Sequence, residues 1–332
     1  MFKIMRPVAL LFLLNISAMA TEPCLSCNDA CGCTIECACN HEARAPIGVM
    51  GDHVHTKGSW MVSYRYMFMN MDSVDGDLSG YMMKPVSMDM QMHMVGAMYT
   101  PTDNVVVGLM LPYKRNMMDM LMGVNPMTVA SEGFGDLILN GTYRAWGTTV
   151  HQLLINLGIG LPTGSIDEEN SAGNRMPYPM QLGSGSYALI PGITYTGLAN
   201  GWGWGAQGNA TVQLDENKHD YRLGEKYTLS GWALRDLCKA SAISLRLKGT
   251  RQENVCGVDT GLIPSAAMSP LADPNLRAGT RLDLLAGIDY RPSGKADGLR
   301  LALEGGVPIY QELNGPQLKT DWMITGGLQF QF

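Results

Sequence analysis

Trp322-Met323-Ile324-Thr325-Gly326-Gly327-Leu328-Gln329-Phe330-Gln331-Phe332 ends the chain, and its alternation decides the fold. Counted in twos back from Phe332, one face carries Phe330, Leu328, Gly326, Ile324 and Trp322. The other carries Gln331, Gln329, Gly327, Thr325 and Met323, mostly polar or small. A period of two is that of a strand. A greasy row backed by a wettable one, closed by an aromatic, suits a strand with lipid on one side and a polar lumen on the other. The competing reading is an ordinary terminal strand of a sandwich.

The same rhythm runs through the chain. Trp60, Val62, Tyr64, Tyr66 and Phe68 share a face, and Leu153, Ile155, Leu157, Ile159 and Leu161 form another row. Met90, Met92, Met94 and Met98 oppose Asp89, Gln91 and His93, so the methionines are expected on lipid and the polar three in the lumen. With further strands at Asn104 to about Arg115, Leu137 to Arg144, 185–197, 203–214, 225–236, 241–250, 279–290, 298–309 and 321–332, the reading is an all-β, antiparallel transmembrane outer-membrane β-barrel. About 12 strands are expected, with 10–14 in range, each of a length that crosses a bilayer when tilted. Short connections, such as Thr100-Pro101-Thr102-Asp103 and Leu198 to Gly201, alternate with long ones at 71–87, 116–133, 163–184, 215–224, 251–278 and 310–320. That alternation predicts short periplasmic turns, long outer loops and both termini in the periplasm.

The start of the chain reads as an export signal over residues 1–20. Lys3 and Arg6 precede the apolar run Val8 to Leu14, and Ala18-Met19-Ala20 supplies small residues at the cleavage position. Residues 21–57 read as a periplasmic segment carrying Cys and His, and 58–332 as the barrel. A formal charge of -6 without a basic stripe argues against a nucleic-acid partner. The expected partners are outer-membrane lipid, a small solute and, through the C-terminal strand, the barrel-assembly machinery.

Several short patterns then fall in order. Gly58 to Tyr66 is followed by Leu109-Met110-Leu111-Pro112-Tyr113. Gly133-Phe134-Gly135-Asp136-Leu137 leads to Tyr143-Arg144, and Leu161-Pro162-Thr163-Gly164 precedes Gly183-Ser184-Gly185-Ser186-Tyr187. Together, over about Gly48 to Phe332, these resemble the outer-membrane barrel family labelled "MetA-pathway of phenol degradation". The resemblance implies a barrel that moves small molecules across the outer membrane, and it carries no active site with it. The chain departs from the plain pattern in a cysteine-rich leader and a heavy methionine load.

Cys24, Cys27, Cys31, Cys33, Cys37 and Cys39 sit within sixteen residues. Thiolates this dense suit Cu(I) or Zn(II), and an even number in an oxidising compartment equally suits disulfides. Asp52-His53-Val54-His55 places two imidazoles and a carboxylate together, a combination that holds transition metals. Eighteen of the 25 methionines lie between Met50 and Met127. Met67, Met69 and Met71 are expected in the lumen near the outer mouth, and Met117, Met118, Met120, Met122 and Met127 in the second outer loop. Thioethers there would take Cu(I) or Ag(I) at any pH, or simply pack under the loops. Arg65 and Arg144 join Asp89, Gln91 and His93 as lumen and selectivity candidates.

G-x-S-x-G, G-x-x-x-x-G-K and H-E-x-x-H are all missing. His93 and His151 are the strand histidines a barrel hydrolase would have to use. The expectation is a non-enzymatic channel for small solutes that requires no cofactor, with soft-metal handling as a secondary property. The alternatives are a membrane-anchored metal-binding module and, third, a barrel hydrolase.

Overall fold

The computed structural model describes residues 45–238, 240–292 and 298–332. The expected signal at 1–20 and the six leader cysteines lie outside the described residues. Among the described residues fifteen strands follow one another: β1 (Trp60–Asp75), β2 (Met83–Thr102), β3 (Val105–Met122), β4 (Asn125–Phe134), β5 (Leu137–Gly147), β6 (His151–Leu161), β7 (Ala188–Ala199), β8 (Trp202–Gln213), β9 (Tyr221–Arg222), β10 (Lys226–Asp236), β11 (Ser241–Gln252), β12 (Cys256–Gly257), β13 (Gly279–Tyr290), β14 (Leu299–Leu313) and β15 (Gln317–Gln331). Strands β9 and β12 pair with each other in the loops. The other thirteen make one sheet of antiparallel neighbours. β4 runs along the far half of β3 and β5 along its near half, so those two fill a single position. β1 pairs with β15 from Met61↔Gln331 to Asp75↔Gln317, which closes a barrel of twelve staves. Closure pairs both sides of the sheet's staves where they cross, the condition a sheet must meet inside lipid; β4, which pairs with β3 alone, stands beyond that span.

The alternation sorts the side chains as the terminal strand implied. Val62, Val95, Leu109, Ile155, Ile193, Leu245 and Leu303 are all exposed on the outer face. An exposed apolar band of this extent marks a surface that meets lipid. Aromatic residues border it on both sides. Trp60, Trp146, Tyr195, Trp202, Tyr290 and Phe332 ring the end with the short turns. Phe134, Tyr187, Tyr227, Tyr310 and Trp322 ring the end with the long loops. Such girdles sit at the two membrane interfaces. No helix among the described residues is long and apolar enough to cross a membrane; the strands do the crossing.

Three expected loops are shorter than the sequence suggested. The stretch 116–133 is a hairpin: β3 continues to Met122, turns through Gly123 at φ +64, and returns as β4. The connection expected over 71–87 shrinks to 76–82, and that over 310–320 to 314–316. The hairpin projects past the lipid band, where a strand needs no greasy outer row, and so it left no alternation of that kind to read. The longer loops do pack together. Tyr178, Tyr221, Val255, Leu262 and Ala272 form a small core among them, and Arg175 pairs with Asp259 at 3.2 Å and with Asp167 at 3.4 Å.

Cys238 and Cys256 lie beyond opposite ends of β11. Twelve residues of strand span about 40 Å, far beyond the roughly 7 Å a disulfide tolerates between Cα atoms.

Candidate functional site: the lumen

The inner face is built in three storeys. In the one nearest the short turns, residues 45–57, expected ahead of the barrel, are instead folded into it. The Ala45 carbonyl accepts from Arg300 Nη2 (2.5 Å), that of Met50 from Gln207 Nε2 (2.6 Å), and that of Val54 from Arg144 Nη2 (3.1 Å). Opposed charges hold the wall behind this segment. Arg246 grips Glu304 through two bonds of 2.9 and 2.6 Å, and Arg300 pairs with Asp289. Two glycines make room. A Cβ on Gly327 would lie 2.6 Å from Ile47, and one on Gly48 would lie 2.2 Å from Arg246 Nη2.

The storey nearest the loops is closed by methionine. Met88, Met118, Met120, Met176 and Met180 are buried together with Val129 and Leu271, and Met71, Met83, Met90 and Met127 pack against them. Strands supply most of these residues. The 162–187 loop brings Met176 and Met180 inward, where Ser131 Oγ donates to the Met180 carbonyl at 2.6 Å. Thioethers are flexible and polarisable, so they fill an irregular lid between strands and loops.

Between plug and lid the inward side chains are only partly covered. Met67, Met69, Met92 and Met94 face inward on β1 and β2 yet remain half-exposed, so open space lies in front of them. Lys248 and Arg281 also face inward and bracket Asp283 at 3.8 and 2.9 Å. Lys226 shares the inner face of β10 with Ser230 and Trp232 and is exposed there. Lys114, inward on β3, donates to the Leu182 carbonyl at 2.7 Å.

Of the residues singled out from sequence, Arg65 is buried on the inner face, and Arg144 faces inward to bind Val54. Asp89, Gln91 and His93 do not line the lumen. They pair in register with Asn70, Phe68 and Tyr66 of the outer row. His93 Nδ1 meets the Tyr64 hydroxyl at 2.7 Å, and Asn70 Nδ2 donates to Asp89 at 2.8 Å. The partner row, Met90, Met92, Met94 and Met98, which was expected on lipid, faces inward with Arg65 and Met67. Val95, 58% exposed, was the signal that decides this parity, because the β1–β2 register has no shift between it and Asp89.

Met67, Met69 and Met71 point inward as expected, Met71 reaching the lid. Met117, Met118, Met120, Met122 and Met127 are on strands and not in a loop. Met118 and Met120 are buried in the lid, while Met117 and Met122 are exposed. His151, like His93, bonds a tyrosine, Tyr195 of the outer row, at 2.8 Å. His53 and His55 meet within the plug, Nε2 to Nε2 at 3.1 Å, and Asp52 holds His53 Nδ1 at 2.8 Å. Among the described residues no three His, Cys, Asp or Glu side chains are grouped to hold a metal. Sequence reasoning missed Lys114, Lys226, Lys248 and Arg281. For Lys248 the signal was there, since it falls opposite Ile243, Leu245 and Leu247 on β11.

A closed twelve-stave barrel with a lipid-facing apolar band, two aromatic girdles and a polar, partly open interior has the fold of a porin-like outer-membrane β-barrel. The family model described as "Putative MetA-pathway of phenol degradation" matches residues 87–252, half of the chain. The chain belongs to that family. Its structure is similar to that of an outer membrane channel from Pseudomonas putida F1, at 15% identity and a TM-score of 0.63, over 84% of this chain and 97% of that one. The KdgM porin is similar at 9% identity and a TM-score of 0.41, over 82% and 99%. A Pseudomonas aeruginosa FadL homologue is similar at 11% and 0.39, over 83% and 89%. The first of these supports the fold; the other two are too distant in shape to bear on more. A comparison with curated proteins finds no match.

Proposed function

We propose that the chain is a channel for small solutes across the outer membrane, with a central chamber covered on one side by residues 45–57 and on the other by the methionine lid. The observation that carries this is the half-exposed inner wall between two buried storeys. A barrel of this strand number is wider than the eight-stranded kind filled by its own side chains and narrower than a sixteen-stranded porin, so only small solutes fit. In this reading the short-turn rim and both chain ends are periplasmic, and the terminal Phe332 strand is the signal for barrel assembly. Planar-bilayer conductance and liposome swelling of the refolded chain, alongside a variant lacking residues 21–57, test it. Discrete currents that grow when the segment is removed are expected. A variant with no conductance would overturn the channel.

A second reading, soft-metal capture, is favoured by one geometry. Two nitrogens on a tetrahedral zinc ion stand about 3.3 Å apart, close to the 3.1 Å between His53 Nε2 and His55 Nε2, and Asp52 orients His53 as carboxylates orient metal-bound histidines. The lid thioethers and the leader cysteines would supply softer donors for Cu(I). Titration with Zn(II), and anaerobically with Cu(I), measures it. A stoichiometry unchanged in H53A/H55A and after deletion of residues 21–57 would remove this reading.

A further inference from the structure

The chamber wall carries unlike chemistry on its two sides. On the β10, β11 and β13 side stand Lys226, Lys248 and Arg281, with Lys114 across the lumen on β3. Lys226 and Lys248 share the inner faces of the paired strands β10 and β11, and Arg281 pairs with Thr250, two residues along the same face from Lys248. Two carboxylates face these four cations. Asp283, fully buried, is shared between Lys248 and Arg281. Asp136, near Lys114, is occupied by Ser184 Oγ and by the backbone N–H groups of Gly164 and Ser184. Four less two leaves an excess of two positive charges converging on one space. In the plug storey Arg246 and Arg300 each have a carboxylate of their own, while Arg144 is spent on the Val54 carbonyl and Arg65 is buried behind the segment.

The wall formed by β1 and β2 is thioether, Met67, Met69, Met92 and Met94, with Lys114 paired to Met92 at its edge. The two chemistries adjoin, since Arg281 Nη1 lies 3.9 Å from Met69 Sδ. Unbalanced cations in a low-dielectric enclosure attract an anion far more strongly than they would in water. The apolar wall beside them adds area for a hydrocarbon body.

We infer that the chamber is a binding station for amphipathic organic anions, a carboxylate or similar head on the Lys226–Lys248–Arg281 side and an apolar body against the methionines. This rests on the channel reading for its route in and out, though the binding itself does not. The full chain is placed in planar bilayers under an asymmetric KCl gradient, and hexanoate, hexanamide and acetate are added in turn. In parallel, hexanoate binding is measured calorimetrically on the chain in lipid nanodiscs.

Chloride is expected to permeate severalfold better than potassium. Hexanoate should block at concentrations where neutral hexanamide and tailless acetate do not. The triple variant Lys114→Gln, Lys226→Gln, Lys248→Gln should bring the permeability ratio close to one, and the triple Lys→Arg variant should retain it. Unselective current, or equal block by hexanamide, overturns the anion station and leaves the channel standing. Binding without current retains the station and overturns the channel; neither current nor binding overturns both. If the glutamine variant fails to fold, the arginine variant and the hexanoate–hexanamide comparison on the unaltered chain decide alone.

Discussion

Gly327 sits beneath Ile47, and the space a Cβ would need there is already filled. Gly327→Val should therefore push the 45–57 segment off the wall, at an overpacking cost of about 1–3 kcal/mol. The expected outcome is a lower urea midpoint together with a higher single-channel conductance. A lower midpoint with unchanged conductance would mean that the segment does not limit flow. Glu304 makes the complementary case. It is 1% exposed and meets Arg246 through two bonds. Taking one partner from a buried pair strands the other charge, at about 3–5 kcal/mol. Glu304→Ala should cost that much in equilibrium unfolding, and Arg246→Met with Glu304→Met should recover most of it. Neither residue drew attention in the sequence. Glu304 reads as one polar position in the Leu299–Leu313 alternation, and its partner lies 58 residues away.

At the scale of the element, β2 shows why a strand's facing is set by its neighbours. Residues 89–94 alternate Asp, Gln and His with methionine, and by transfer energy alone methionine belongs in lipid. Cross-strand register overrides that preference, because a slip of one residue would turn the whole strand, Val95 included, to the wrong side. His93→Trp should then be quenched strongly by brominated lipid and Met92→Trp weakly; the reverse order would restore the original assignment. The outer loops give a pH dependence. Hydrogen bonds from Lys218 and then His219 hold the Asp167 carboxyl below its ordinary range. The support this pairing lends to the 162–187 loop is present above the unfolded carboxylate value, near pH 4, and is lost as pH falls through the lower folded value. The site is surface-exposed, so the effect is local and small. Faster amide exchange confined to that loop at acid pH is expected, and an exchange pattern indifferent to pH would contradict it.

For the whole molecule, the period of two was enough to find the twelve staves and their closure, while three of the six connections expected to be long are short. Lipid imposes a simple demand on the outer surface, and that demand is written locally, residue by residue. The interior answers to no such rule. Which parts of the chain fill the lumen depends on contacts such as Met50 with Gln207, 157 residues apart, and on a β3–β4 hairpin standing clear of the lipid. The plug was invisible for that reason, and so was the convergence of the cations, although methionine packing under the loops and the inward parity of Lys248 could be read.

The account as a whole depends on which side chains of a strand meet hydrocarbon. A spin-label scan along β11, Ser241 to Gln252, with oxygen accessibility read at each position in bilayers, measures this directly. Maxima at Ile243, Leu245 and Leu247 with minima at Ser244, Arg246 and Lys248 are predicted. A flat profile, or maxima on the Arg246 row, would contradict a lipid-embedded barrel with a charged interior.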